Sequence, residues 1–328
     1  MQELFITSPE AGSGDVMQLV PTVTWSGDYK QCARTLEFGL LSSATDKAIP
    51  TVSCPLGSAA LFRDAGNALF EGFIFSRQKA TSDSVIDLTA FDRGIYVKRN
   101  EGVYKFTNMT PEAITARVCA DYGIEVGELA VTGVQISRNF IGVSLHKIIQ
   151  TAYTLAAETT KEAYQIRFVG KKLSVIKKGV NTDTVIIKGG SNLMSCSTTE
   201  SIEDMINQVV IYDSEDKPVG TQSDGSLIKL YGLLQSYLKQ TKDEDATEKA
   251  KKLLEDNGVS QKITVENIGD VRCVTGNSVI VQEPYTGVHG LFYIDGDTHT
   301  WKNGQYYNKL VLNFKRIMDE QEAGSIPK

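Results

Sequence analysis

The sequence predicts a β-rich α+β chain in which two β regions flank a compact α/β unit. Three observations carry this reading. The first hundred residues break into short β-branched or aromatic segments separated by turn chemistry. Between residue 101 and about residue 185 the apolar pattern changes to helical spacing, and beyond it alternation returns with one helical interruption. With 328 residues, 41% hydrophobic and 23% charged, the chain can bury the cores of two or three domains, which excludes wholesale disorder.

The opening strands are expected at 20–25, 34–40, 59–62, 69–75 and 85–91, with Gly-Asp, Pro-Leu-Gly, Asp-Ala-Gly-Asn and Thr-Ser-Asp between them. Ile86, Leu88 and Ala90 alternate onto one face of the last of these. Four or five strands at this spacing predict a small barrel or sandwich. Gly12-Ser-Gly14 precedes no helix and lacks the lysine of a phosphate loop, so a flexible turn is expected there.

Thr110-Pro111-Glu112 is a helix start: an N-cap threonine, proline at the first helical position and an acid in the first turn. Ile114, Val118 and Tyr122 follow at helical spacing, and Gly123 is placed to stop the helix. A second helix begins near Ser144 with Leu145, Ile148, Ile149, Ala152, Leu155 and Ala156 as its apolar stripe. Two strands, 164–169 and 173–176, then form a hairpin through Gly170.

Strands are expected again at 185–188, 207–212, 278–282, 291–294 and 306–314, with an amphipathic helix from Asp243 to Asn257. Asn303-Gly304, set between Thr298–Lys302 and Gln305-Tyr306-Tyr307, is the strongest hairpin signal in the chain. The last eight residues read as a frayed polar tail.

Net charge is −6, against a dedicated nucleic-acid binder. It is unevenly spread: −2 over residues 1–100, +3 over 101–190 and −7 over 191–328. The positive excess gathers at Lys161, Arg167, Lys171, Lys172, Lys177 and Lys178. Two readings stand: a lysine-protected strand edge, or a patch for an acidic neighbour in which Lys171, Lys172 and Lys177 make the contacts. Five widely spaced cysteines without a Cys-x-x-Cys fit neither a disulfide framework nor a zinc site, and a reduced compartment is expected. The N-terminus lacks the features of a secretory leader, and no apolar run approaches the roughly 20 residues of a membrane span, so a soluble chain is expected.

Recognisable catalytic patterns are absent: no G-x-S-x-G, no H-E-x-x-H and no cysteine-protease signature. Asp295, Asp297 and His299 alternate along one strand and could converge on a cation, but further ligands are not marked, so strand-end polar residues are the plainer reading. No cofactor, metal or catalytic residue is expected.

Five runs, taken in order, resemble the XkdQ/YqbQ family of baseplate hub proteins from contractile phage tails of the PBSX type. They are Cys32-Ala-Arg34-Thr-Leu-Glu-Phe38, Leu69-Phe-Glu-Gly72-Phe-Ile-Phe75, Thr107-Asn-Met-Thr110-Pro111, Leu230-Tyr231-Gly232 and Tyr293-Ile-Asp-Gly-Asp-Thr-His299-Thr-Trp301. The hubs of R-type bacteriocins and, more distantly, late-control D-type tail proteins are similar. The resemblance spans about residues 3–317. It implies two tube-like β-barrel domains per chain, at 1–100 and at 186–225 with 275–320. An α/β middle domain at 101–185, a helix-containing insertion at 226–274 and a flexible tail at 321–328 complete the chain.

It further implies a homotrimer that joins a sixfold tail tube to a threefold spike. Tail tube, spike, tape-measure and baseplate wedge proteins would be its partners. Assembly would take place in the bacterial cytoplasm, and the chain would end in a virion or tail-like particle. Neither sequence-specific nucleic-acid binding nor membrane insertion is implied. The alternatives are a tail-associated cell-wall hydrolase, for which Asp295, Asp297 and His299 are the sole candidates, and a glycan-binding module built on Trp301, Tyr306 and Tyr307.

Overall fold

The computed structural model describes residues 1–8, 12–43, 46, 48–80, 84–181, 183–240 and 246–327. The Thr-Ser-Asp turn expected at 81–83 and the first three residues of the helix expected from Asp243 lie outside them. The chain forms two compact units, Met1–Cys196 with Thr264–Lys328, and Ser197–Ile263.

The N-terminal strands of the first unit are β1 (Gln2–Ser8), β2 (Gly12–Asp15), β3 (Thr22–Asp28), β4 (Thr35–Leu41), β5 (Ala59–Asp64), β6 (Asn67–Lys79) and β7 (Val85–Asp92). Alternation explains them: β4 buries Leu36, Phe38 and Leu40, and β7 buries Ile86, Leu88 and Ala90. Each of the larger side chains, the leucines, Phe38 and Ile86, contributes about 1.5–3 kcal/mol by leaving water. The Gly12–Asp15 segment is a correction: it pairs antiparallel with β1, Ser8 opposite Gly12 and Phe5 opposite Asp15. Glycine and serine carry little strand signal, and the partner strand is what holds them.

Helix α1 (Gly94–Arg99) leads into β8 (Glu101–Met109), α2 (Pro111–Asp121), β9 (Val126–Leu129), β10 (Ile136–Ser144), α3 (Leu145–Thr160), β11 (Tyr164–Val169) and β12 (Lys172–Lys177). Both expected caps form: Thr110 accepts from Ala113 N at 3.4 Å and Ser144 from Lys147 N at 3.4 Å. Gly123 adopts φ +64° just past α2. The face of α3 bearing Leu145, Ile148, Ile149, Ala152 and Tyr153 packs with Ile114, Phe140, Ile166 and Val175 in one core.

Strands β13 (Val185–Lys188) and β14 (Leu193–Ser201) lead to the second unit. It holds β15 (Gln208–Tyr212), β16 (Pro218–Ser223), α4 (Gly225–Tyr231), β17 (Gln235–Lys239) and α5 (Ala246–Asp256). There α5 sets Ala246 and Ala250 on Val209 and Ile211, with Leu238, Leu253 and Leu254 packed around them. The chain returns through β18 (Ser260–Ile268) to β19 (Ser278–Glu283), β20 (Val288–Lys302) and β21 (Gln305–Asn313).

Thirteen strands join in one sheet whose main path runs β14-β18-β21-β20-β3-β4-β7-β6-β5-β1-β2, with β13 and β19 as a branch on β20. The β-rich class agrees with expectation, but the path is open, and no pairing among the described residues closes a barrel. Thr22–Asp28 lies between β4 and the far half of β20, Thr22 opposite Lys302 and Asp28 opposite Gly296. The early and late β regions are therefore continuous in hydrogen bonding. Long-range pairing of this kind leaves no periodic trace in the sequence. Leu291–Ile294 and Thr298–Lys302, which read as separate strands, are one strand with a bulge at Asp295: Ile294 faces Leu312 and Gly296 faces Val311.

The expected frayed tail is also corrected. Gln150 Nε2 donates to Asp319 O (2.6 Å), Gln321 N to Thr154 Oγ1 (3.1 Å) and Ala323 N to Thr151 Oγ1 (3.2 Å). Asn139 and Ser325 exchange backbone bonds of 2.8 and 2.9 Å. Polar side chains of α3, Gln150, Thr151 and Thr154, are the tail's partners.

At the β20–β21 turn, Asn303 and Gly304 adopt φ +52° and +74°. A side chain at Gly304 meets open space, so only the backbone resists substitution. Gly304→Val is expected to cost about 1–2 kcal/mol and lower Tm in thermal denaturation, and Gly304→Asn much less.

Candidate functional site

The Asp295–Asp297–His299 cluster is the sequence's one hint of chemistry, and the β20 bulge divides it. The extra residue sends Asp295 away from the other two, toward Lys178. Lys178, grouped with the basic residues of the hairpin, is fully buried, a further correction. Its Nζ bonds Asp295 Oδ1 and Ile317 O, the latter at 2.9 Å, and lies 5.0 Å from the Tyr29 ring centre. Burial works against both charges, lowering the Lys178 pKa and raising that of Asp295, while their attraction opposes it.

Asp297 sits in a different environment. Arg34, immediately before β4, grips it with two nitrogens: Nη1 reaches Oδ1 at 3.0 Å and Nη2 bonds Oδ2. Thr275 adds its backbone N–H (2.6 Å) and hydroxyl (2.5 Å) to Oδ1. His299 Nε2 lies 3.1 Å from Oδ2 and 3.2 Å from Cys273 O. On its other side His299 Nδ1 meets Tyr306 OH and Asn308 Nδ2, both at 2.7 Å. Burial alone would raise the Asp297 carboxyl, but the Arg34 charge and these bonds hold it well below the usual carboxylate range.

Every acceptor of Asp297 is therefore engaged by protein donors, and no group of His, Cys, Asp and Glu side chains among the described residues could hold a metal ion. The cluster is a polar joint. Aromatics complete it: Arg34 lies over Trp25 at 3.9 Å, and Trp301 stacks on Tyr306 with ring centres 4.3 Å apart. Trp301 is buried, its Nε1 donating to Asp64 Oδ2 at 3.2 Å. Trp301 and Tyr306 thus pack as core, leaving Tyr307 without the aromatic shelf that a sugar ring would need.

Lys171, Lys172 and Lys177 are exposed but are not gathered. Lys172 and Lys177 stand at opposite ends of β12, about 17 Å apart along the strand and on opposite faces. Lys171, in the turn, ion-pairs with Glu71 at 3.2 Å. β12 is the central strand of the sheet β11-β12-β9, so the expected strand edge falls on β11. Arg34 and Arg167, which the sequence names only within a resembling run and within the basic excess, are two guanidiniums beside a groove of about 530 Å³. An arginine at an inward-facing strand position was the available signal.

With this geometry in view, comparison with known proteins places the chain. Residues 23–313 match the YQBQ-like family model, and the chain belongs to that family. It is 24% identical over 308 residues to the phage-like element PBSX protein XkdQ of Bacillus subtilis, covering 91% of this chain and 94% of that protein. Among solved structures it is similar to the 43 kDa tail protein of prophage MuSo2 from Shewanella oneidensis (TM-score 0.71, 12% identity, 99% and 100% of the two chains). The tail protein from Neisseria meningitidis is also similar (TM-score 0.67, 13% identity, 98% and 99%).

Asp297→Ala would leave Arg34, whose side chain is only 14% exposed, without its counter-ion. A loss of about 3–5 kcal/mol is expected, read as a fall in Tm. A carboxyl held below its unfolded value binds fewer protons when folded, so its contribution is complete above about pH 4 and fades as pH drops further. The acid limb of the stability–pH curve should accordingly flatten in Asp297→Ala.

Proposed function

We propose that this YQBQ-like chain is a structural component of a phage tail or tail-like particle, and within it the baseplate hub. The carrying observation is a match across nearly the whole chain, in sequence to the PBSX protein and in fold to tail proteins. In this reading residues 1–100, and 186–225 with 275–320, are the two tube-like β domains. The α/β unit at 101–185, the insertion at 226–274 and the tail segment lie around them. Three copies would form a ring that adapts a sixfold tail tube to a threefold spike, with tape-measure and wedge proteins as further partners. The two open ends of the sheet, β14 and β2, are where neighbouring copies would continue it.

A structural role accords with the site. The carboxylates and imidazole that a hydrolase would expose are spent on holding strands together, and the family and similar folds indicate no enzyme. Among the described residues, no helix is long and apolar enough to cross a membrane.

The assembly state tests this. Electron microscopy of intact particles should show the chain around a threefold axis with a central channel, and an isologous dimer there would overturn the hub assignment. The hairpin lysines are proposed to meet acidic neighbours in the particle. Reversing Lys171, Lys172 and Lys177 to Glu should leave the Tm of the isolated chain nearly unchanged, since exposed pairs are worth about 0–1 kcal/mol. Particle yield should fall, most clearly at low salt. Normal yield at every ionic strength would return the hairpin to a solvated surface.

A further inference from the structure

The first unit contains a groove of about 530 Å³ whose walls include Trp25, Arg34, Gln165, Arg167, Arg272 and Thr275. Its donors and acceptors do not balance. Arg34 is committed to Asp297, and Arg272 to Asp270 (2.6 Å) and Asp183 (3.5 Å). Asp28, also on the wall, accepts the backbone N–H of Lys30 at 2.9 Å. The Arg167 side chain makes neither an ion pair nor a hydrogen bond with any described residue, and its Nε is buried without an acceptor. Two further donors on this groove share that condition, Arg34 Nε and Trp25 Nε1, and Trp25 is only 6% exposed. Burial and the neighbouring Arg34 charge both press on Arg167, and Glu128 offsets them in part.

The groove also runs along a strand edge. β11 is an outer strand of its sheet, and its residues from Gln165 to Val169 line the cavity. Lys178 N donates to Ala163 O at 2.8 Å, so the alternation of the antiparallel ladder turns the N–H and C=O of Ile166 and Phe168 away from β12. Ile166 O receives the side-chain amide of Gln165 at 3.1 Å.

We propose that this groove docks an extended acidic segment of a partner protein, added along β11 with a carboxylate forked onto the Arg167 guanidinium. The charge and donor excess select a carboxylate, whose two oxygens match the planar fork of an arginine. The open strand edge selects a polypeptide, because main-chain bonds to β11 require peptide groups. The proposal rests on the groove alone and stands or falls separately from the tail assignment.

The test uses the purified full chain and an acetyl-capped decapeptide of glutamate, with a glutamine decapeptide and inorganic phosphate as comparison probes. Trp25 on the groove wall reports occupancy by fluorescence. The glutamate peptide should bind saturably and slow hydrogen exchange at the Ile166 and Phe168 amides. Arg167→Gln and Arg167→Lys should each weaken it roughly tenfold or more, with Tm preserved because the arginine has no partner to lose. Should Arg167→Gln lower Tm, the folded Arg167→Lys protein decides alone. Absence of binding, equal binding by the glutamine peptide, unchanged affinity in the folded variants, or displacement by equimolar phosphate would overturn the proposal.

Discussion

The buried Arg34–Asp297 pair is the constraint on which the sheet depends. Its partners are 263 residues apart in sequence: Arg34 immediately precedes β4 and Asp297 lies on β20, the two strands that flank β3. A hydrophobic seam there would tolerate a slip of two residues, because alternation is restored at that spacing. A bidentate ion pair does not, since any shift strands a guanidinium and a carboxylate away from water, at a cost of several kcal/mol. Thr275, His299, Tyr306 and Asn308 extend the same specification to the loop before β19 and to β21. Fixing register, more than adding net stability, is what such a buried pair does best here.

A second buried pair of the same β20 run does a different job. The bulge hands Asp295 to Lys178, and Lys178 also binds Ile317 O, so the α/β unit, β20 and the segment after β21 meet at one ammonium. From there the chain lies along α3, with Met318 in the α/β core and Asp319, Gln321 and Ala323 bonded to side chains of that helix. One short run, 293–301, thus addresses two cores because alternation and a single extra residue send its polar groups in different directions.

How much of this was legible depends on the range of the interaction involved. The caps at Thr110 and Ser144, the Gly170 and Asn303-Gly304 turns and the faces of β4 and β7 follow from neighbours within a few residues, and the sequence reading recovers them. Strands β1 and β2 were missed or read as a turn because pairing, not propensity, makes them. Nothing near Gln150, Thr151 and Thr154 in sequence marks them as partners of the C-terminal segment, because those bonds span about 170 residues. Lys178 illustrates the limit most clearly. Beside Lys177 in a basic run it reads as surface, yet one residue's difference turns it inward to a carboxylate 117 positions away. At the site, the polar character of Asp295, Asp297 and His299 was visible, whereas their partners Lys178 and Arg34 were not.

The contrast between Arg34 and Arg167 separates what the fold consumes from what it leaves open. Both guanidiniums border one groove, near enough for the first to press on the charge of the second. Arg34 is ion-paired with Asp297 through both terminal nitrogens and lies over Trp25, and its work is internal. Arg167 has lost part of its hydration to burial with only the more distant Glu128 charge in return and no acceptor in contact with its guanidinium. The exposed lysines of the hairpin, Lys171, Lys172 and Lys177, stay hydrated whether or not an acidic neighbour is present. A half-buried guanidinium without a bonded acceptor beside an open strand edge is different in kind, because an acidic occupant of the groove would supply the contact that Glu128 does not make.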